Sequence, residues 1–489
     1  MKRIKGGAAI DSILLTGVRV FTAAVSMVVA KMLAVSFSVE EYGIYSEVML
    51  IVTTGTSVTI LGLTDAINYF FNKEHDFNKK SKYVATIFSI QFIVGGIFAV
   101  SLFVFRHGIA SYFGDNSVIS FLPYIAFMPL LNNLMNMLQV LFISGGRAKA
   151  IAVRNLVLSL TKIIYVTVVC FMVKDIKYIL ICLMIVDLLT VIYMWIYVKR
   201  EIIPFMLRNA NYSLSSSILS YSVPMAGFIL TNALARNMDK FVVAKMADTA
   251  TLAVYSIASK ELPFDMLTAA LVTVLIPYIT QYIAQYDYDA AERTFSQYIK
   301  LCYLITWPIA FGAIINSSDL MVILYDKKYI VGLSIFILYI LVDMIRFANV
   351  SIVFSAKAKT KELLIYSCSS LIANLILNII LFKIIGVAGP AISTVVVMFS
   401  INTLMLTRSS KLIESKLSKV LDLKRMTIVI CECIAIGLVV LILNRLILWR
   451  LPLLIRFCVG YLGFIFPVFL MNYSEIVNSL RVINQLKMK

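Results

Sequence analysis

Residues 178–198 read YILICLMIVDLLTVIYMWIYV, a run whose only charged residue is Asp187, with Lys174 and Lys177 before it and Lys199 and Arg200 after it. A helix needs about 20 apolar residues to cross a hydrocarbon core roughly 30 Å thick, and every backbone polar group in lipid must be satisfied within the segment. The run therefore predicts a membrane-spanning helix. Similar runs fill the rest of the chain, giving fourteen expected spans: 10–36, 45–71, 84–105, 118–143, 151–173, 178–198, 217–246, 252–283, 299–324, 330–355, 363–385, 387–407, 426–448 and 452–473.

Composition agrees: 61% of the 489 residues are hydrophobic and 14% charged, which excludes a soluble domain. The net charge of +18 would raise nucleic acid as a partner in a soluble protein, but the placement of the cations excludes it. Of the 44 Lys and Arg, 25 lie at the two termini and in every second loop. The alternate loops hold mainly Arg106, Lys174, Lys177, Lys327, Lys328, Arg445 and Arg450. By the positive-inside rule both termini are expected in the cytoplasm, as an even number of spans requires. The opening Met1-Lys2-Arg3-Ile4-Lys5 reads as the start of an uncleaved first helix, because the apolar run continues past Arg19 without a small-residue cleavage site.

Several classes of function are excluded. The longest connections, 199–216 and 408–425, leave no room for an extramembrane domain, and there is no G-x-x-x-x-G-K-[ST] loop for ATP. The two histidines, His75 and His107, lie in loops on opposite sides, so neither a histidine metal site nor a histidine proton relay is expected. The seven cysteines lie mostly inside spans without a C-x-x-C and read as packing residues. Short external loops argue against a glycan polymerase or ligase. The expectation is a transporter, not an enzyme, with no cofactor.

Transporters are often built from duplicated halves. Tyr45-Ser46 recurs as Tyr255-Ser256, and Arg147-Ala148-Lys149 as Lys357-Ala358-Lys359, both at an offset of 210 residues. This predicts two six-helix lobes, 1–205 and 206–407, related by a parallel pseudo-repeat. Residues 408–489 add a cytoplasmic linker, spans 13 and 14 and a tail. Arg445, Arg450 and Arg456 at the external ends of those spans read as headgroup anchors.

Several motifs carry a family resemblance. Glu41-Tyr42-Gly43-Ile44-Tyr45-Ser46 and Leu61-Gly62-Leu63-Thr64-Asp65-Ala66 come first. Ser220-Tyr221-Ser222-Val223-Pro224, Asn237-Met238-Asp239-Lys240 and Val254-Tyr255-Ser256-Ile257-Ala258 follow, then Asn374-Leu375-Ile376-Leu377-Asn378 and Gly386-Val387-Ala388-Gly389-Pro390-Ala391. In this order they resemble the polysaccharide transporters, the O-antigen flippase type, of the multidrug/oligosaccharidyl-lipid/polysaccharide (MOP) exporter superfamily. Val254 stands where that pattern has Gly, and Pro390 where it has a small residue.

The resemblance implies the all-α, MATE-like fold of that superfamily. It also implies a flippase moving a polyprenyl-diphosphate-linked oligosaccharide from the inner to the outer leaflet of the bacterial cytoplasmic membrane. Its expected partners are that glycan, membrane lipids and the proteins of polysaccharide assembly. A cation-coupled multidrug exporter and a lipid II flippase are the alternatives.

A diphosphate in lipid needs cationic groups, and ionisable residues inside spans mark function by default. Arg19 leads the substrate-binding candidates, since guanidinium stays charged and offers a planar fork to phosphate oxygens; the competing reading is a structural bond to carbonyls of a neighbouring helix. Lys162, Arg154, Arg236, Lys240 and Arg346 complete the set, with Arg154 also placed to snorkel to headgroups. Arg236, Asp239 and Lys240 share a helix face at i, i+3, i+4 spacing, and Asp343 and Arg346 repeat the three-residue spacing, so each group reads equally as an intrahelical charge cluster. Asp239, Asp265, Asp343 and Asp187 are the candidates for H⁺ or Na⁺ coupling. Pro263, among Lys260, Glu261 and Asp265, predicts a bend in span 8.

Overall fold

The computed structural model describes residues 2–264, 275, 278–357 and 359–486. It is all helical among those residues and divides into two compact units, Met1–Ala253 and Val254–Lys489. In the first unit the helices are α1 (Lys2–Ser36), α2 (Val39–Thr59), α3 (Leu63–Lys73), α4 (Phe77–Val104), α5 (Arg106–Phe113), α6 (Ser117–Ile125), α7 (Met128–Ser144), α8 (Ala148–Val168), α9 (Ile176–Glu201) and α10 (Ser215–Met246). Helix α11 (Thr249–Ala258) carries the chain into the second unit. There follow α12 (Tyr288–Ile315), α13 (Ser317–Leu324), α14 (Leu333–Ile345), α15 (Ile352–Ala356), α16 (Thr360–Ile385), α17 (Ala388–Leu412), α18 (Leu417–Val420), α19 (Leu423–Leu446) and α20 (Leu453–Leu486).

Thirteen segments among the described residues are long and apolar enough to cross a membrane, and each coincides with one of the fourteen expected spans. The chain is a multi-pass membrane protein. The expected span 252–283 is the exception. It opens as α11, leaves helical geometry at Ser259–Phe264, and residues 265–274, 276 and 277 lie outside the described set.

Polar residues set the helix starts. Ser38 Oγ accepts from the Glu41 N–H (3.1 Å) while Glu41 Oε2 accepts from the Ser38 N–H (2.8 Å), a reciprocal cap that starts α2. Asp76, Asp175 and Asp422 cap α4, α9 and α19 in the same spirit.

Lipid offers no hydrophobic drive between helices, so close backbone approach and interhelical hydrogen bonds hold them. Gly62, between α2 and α3, has φ of +66°, and a Cβ there would fall 2.2 Å from the Ser222 carbonyl oxygen of α10. The Leu61–Ala66 and Ser220–Pro224 motifs are thus the two sides of one backbone crossing. Asn133 of α7, fully buried, donates to Thr59 Oγ1 (2.9 Å) and to the Thr56 carbonyl (3.1 Å) of α2. Phe88, Trp195 and Phe205 form an aromatic core with ring centroids 4.8 to 5.2 Å apart.

In the second unit, α19 and α20 are tied to α12 by charge. Lys300 of α12 pairs with Glu475 of α20 and lies 3.7 Å from Asp422. Arg425 of α19 lies 3.2 Å from Glu475 and donates to Asn472 Oδ1 at 2.6 Å, and Asn472 in turn donates to Glu432 at 2.7 Å. Arg456 makes a two-point pair with Asp319 of α13, at 2.6 and 2.5 Å, so this side chain clamps α20 to its neighbour. Two turns share one backbone closure: the Arg147 N–H donates to Phe142 O and the Lys359 N–H to Phe354 O, both at 2.8 Å. This pair is offset by 212 residues.

Replacing Gly62 by Ala is expected to lower the thermal midpoint in detergent, because a left-handed non-glycine residue costs about 1–3 kcal/mol before the clash with Ser222 is added. Gly108→Ala, in α5 where nothing lies within 4 Å of the new methyl, is the control and should leave the midpoint unchanged or raise it.

Candidate functional site

Helix α1 buries Val18, Val25, Val29 and Leu33, a stripe at helical spacing, and packs on α8. Arg19 lies beside that stripe and is exposed. Its guanidinium has no hydrogen bond or ion pair among the described residues, so the structural bond to a neighbouring carbonyl that competes with a binding role is not formed there. On α10, Arg236 is exposed, Lys240 half-buried and Asp239 buried. Neither Arg236 nor Lys240 makes an ion pair within 4.0 Å among the described residues.

Arg154 and Lys162 of α8 are brought together with Asp187 of α9, all three half-buried, and the Asp187 carboxylate interacts electrostatically with both cations. Arg154 Nη2 also donates to Gln139 Oε1 of α7 at 2.7 Å. A further acid, Glu47 of α2, is 1% exposed. Its Oε1 accepts from Thr249 Oγ1 at 2.9 Å, and its Oε2 is buried without a hydrogen-bond partner. One turn earlier, Gly43 lets the Thr249 backbone approach to a distance that any Cβ would block.

In the second unit two expected spans are broken, and the breaks meet. Span 8 is irregular at Ser259–Phe264, and span 10 stops at Ile345 and resumes as α15. Irregular backbone at membrane depth is tolerated only where protein or water satisfies it. Here side chains do so. Asp343 Oδ2 accepts from the Leu262 N–H (3.1 Å), Tyr298 OH accepts from the Asn349 N–H (2.8 Å), Trp307 Nε1 donates to Met344 O (3.0 Å) and Asn402 Nδ2 to Ile345 O (2.5 Å). Arg346 pairs with Glu261 across the breaks. Asp343 and Arg346, which sequence reads either as an intrahelical cluster or as ligand contacts, both reach residues 261–262. A cavity of about 40 Å³, lined by Glu261, Thr306, Asp343 and Arg346 among others, is left between them. Asp265 lies outside the described residues.

Asn374 and Asn378, one turn apart on α16, are fully buried, and none of their four side-chain polar atoms has a hydrogen-bond partner. Amide oxygens in that state can take a water or a hard cation. Sequence reading quoted this pair as a motif without assigning it a site. It also missed Glu47, although an acid two residues inside span 2 was a signal in itself.

The model of the polysaccharide biosynthesis protein family matches residues 28–333. The chain belongs to that family. Among solved structures, the lipid II flippase MurJ in an inward closed conformation aligns with a TM-score of 0.73 at 15% identity, over 95% of this chain and 100% of that one. An inward-facing multidrug resistance MATE family transporter of the MOP superfamily aligns with a TM-score of 0.64 at 15% identity, over 79% of this chain and 94% of that one. The fold is thus the one expected from the sequence resemblance. The probable low-salt glycan biosynthesis flippase Agl15 of Haloferax volcanii is 23% identical over 171 residues, 34% of this chain and about a third of that protein (36%).

The bridge between the broken spans makes a quantitative prediction. Arg346→Leu and Glu261→Gln should each lower thermal stability in detergent, and the double variant should cost less than the two singles added, by about 0.5–3 kcal/mol. Strict additivity would show that the two side chains do not act together.

Proposed function

We propose that this member of the polysaccharide biosynthesis protein family is a flippase that moves a polyprenyl-diphosphate-linked oligosaccharide from the inner to the outer leaflet of the bacterial cytoplasmic membrane, and that it is not an enzyme. The observation that carries the proposal is Arg19, an exposed guanidinium on a membrane-spanning helix with no partner among the described residues. An unpaired charge inside a membrane protein is expensive. A diphosphate is the anion its fork fits.

Arg236 and Lys240, likewise without ion pairs among the described residues, belong to the same proposal, as does Lys162. Movement is by alternating access, these cations being presented first to one face and then to the other, with both termini in the cytoplasm. A potential negative inside favours outward movement of the anionic passenger by about 2.3 kcal/mol per charge per 100 mV. H⁺ or Na⁺ adds to this bias, with Asp187, Asp239, Asp265, Asp343 and Glu47 as the acids to carry it. The proteins of polysaccharide assembly are the expected partners. The MATE-like fold supports one rival, a cation-coupled multidrug exporter.

Equilibrium binding of a polyprenyl-diphosphate oligosaccharide to the purified protein tests the reading. Arg19→Ala should weaken binding at least tenfold, since hydrogen bonds to a charged group contribute about 1.5–3 kcal/mol. Lys383→Ala, at the exposed end of α16, should leave it unchanged. Equal affinity in wild type and Arg19→Ala removes Arg19 from the path, and tighter binding of a cationic drug than of the glycan lipid favours the exporter.

A further inference from the structure

We propose that the groove between α8 and α9 binds one anionic phospholipid, with Arg154 holding its phosphate and the apolar walls taking an acyl chain. This inference does not depend on the identity of the passenger. The groove has a volume of about 390 Å³, within the roughly 300–1,000 Å³ of a small-molecule site. Its walls include Val153, Val157, Leu189 and Tyr193, each more than half exposed. Arg154 lies six residues, about 9 Å, from the Ala148 end of α8, and Tyr193 eight residues, about 12 Å, from the Glu201 end of α9. Both ends are basic, with Lys149 on one and Lys199 and Arg200 on the other. The Arg154 end of the groove therefore lies toward the headgroups that those cations border, and further inward it is lined by Val157, Val186 and Leu189, with Thr161 and Thr190 among them.

Charge selects the occupant. Asp187 interacts with Lys162 as well as with Arg154, so its charge is divided between the two cations. Arg154 spends one N–H on Gln139, its Nε is buried without a hydrogen-bond partner, and it makes no ion pair within 4.0 Å among the described residues. A phosphate completes that guanidinium, and snorkelling brings the side chain toward headgroup level. The apolar walls require that the phosphate carry a hydrocarbon chain.

A built-in comparison sits on the other face of α9. There a groove of about 530 Å³, lined by Phe92, Leu130, Leu188, Ile192 and Trp195 among others, is entirely apolar. It offers nothing to distinguish one headgroup from another.

Native mass spectrometry of the purified protein, titrated with phosphatidylglycerol or with phosphatidylcholine of the same acyl chains, tests the assignment. Wild type should retain one phosphatidylglycerol with at least tenfold preference. Arg154→Leu should erase that preference, Arg154→Lys should keep most of it, and Val157→Trp, which fills the groove, should remove the bound lipid. Ile192→Trp, in the apolar groove, should not change the preference. Equal retention of the two lipids by wild type, or undiminished preference in Arg154→Leu or Val157→Trp, would overturn the proposal. So would displacement of the lipid by millimolar inorganic phosphate, which would make the site a simple anion site, or a tighter hold on a polyprenyl phosphate than on phosphatidylglycerol.

Discussion

In hydrocarbon a backbone N–H or C=O has no water to fall back on, and the rest of this structure follows from how that demand is met. Most of the described chain meets it with unbroken helices, and thirteen segments among the described residues are long and apolar enough to cross a membrane. At residues 259–264 and 346–351 the helices stop, and the demand passes to side chains. Asp343, Tyr298, Trp307 and Asn402 each satisfy one backbone group there. The polar residues of the second unit are thus arranged first around its backbone. Arg346, held by Glu261, is part of the same arrangement.

The first unit spends its charges differently. Its helices are joined by close backbone contact at Gly62 and by neutral hydrogen bonds such as that of Asn133. Arg19, Arg236 and Lys240 are not consumed by ion pairs among the described residues. Their availability is what the proposed contact with a diphosphate requires. This contrast ties the fold to the proposed function: Arg346, which by sequence alone looks equivalent to the cations of the first unit, is held by Glu261 beside the broken backbone.

That equivalence also marks where sequence reading stops. The spans were legible because each depends on one local property, about 20 apolar residues in a row. Gly62 and the Ser220–Pro224 motif were visible as motifs, but their meeting depends on a crossing between helices that no spacing encodes. Asp343 and Arg346, three residues apart, read as one cluster; the break after Ile345 turns both toward span 8, a change of direction that hydropathy does not carry. The Lys300–Glu475–Arg425 network is not legible because its members are distant in sequence, and Arg456 reads as an anchor because its partner, Asp319, lies on another helix.

The decisive measurement is protection of a polyprenyl-diphosphate oligosaccharide in sealed proteoliposomes containing the wild-type protein, with an imposed proton or Na⁺ gradient and a membrane potential. If the protein is a flippase, the glycan becomes accessible on the opposite face faster than in protein-free vesicles, and a cationic drug loaded in its place is not moved. Movement of the drug with no movement of the glycan would contradict the assignment and make this chain an exporter.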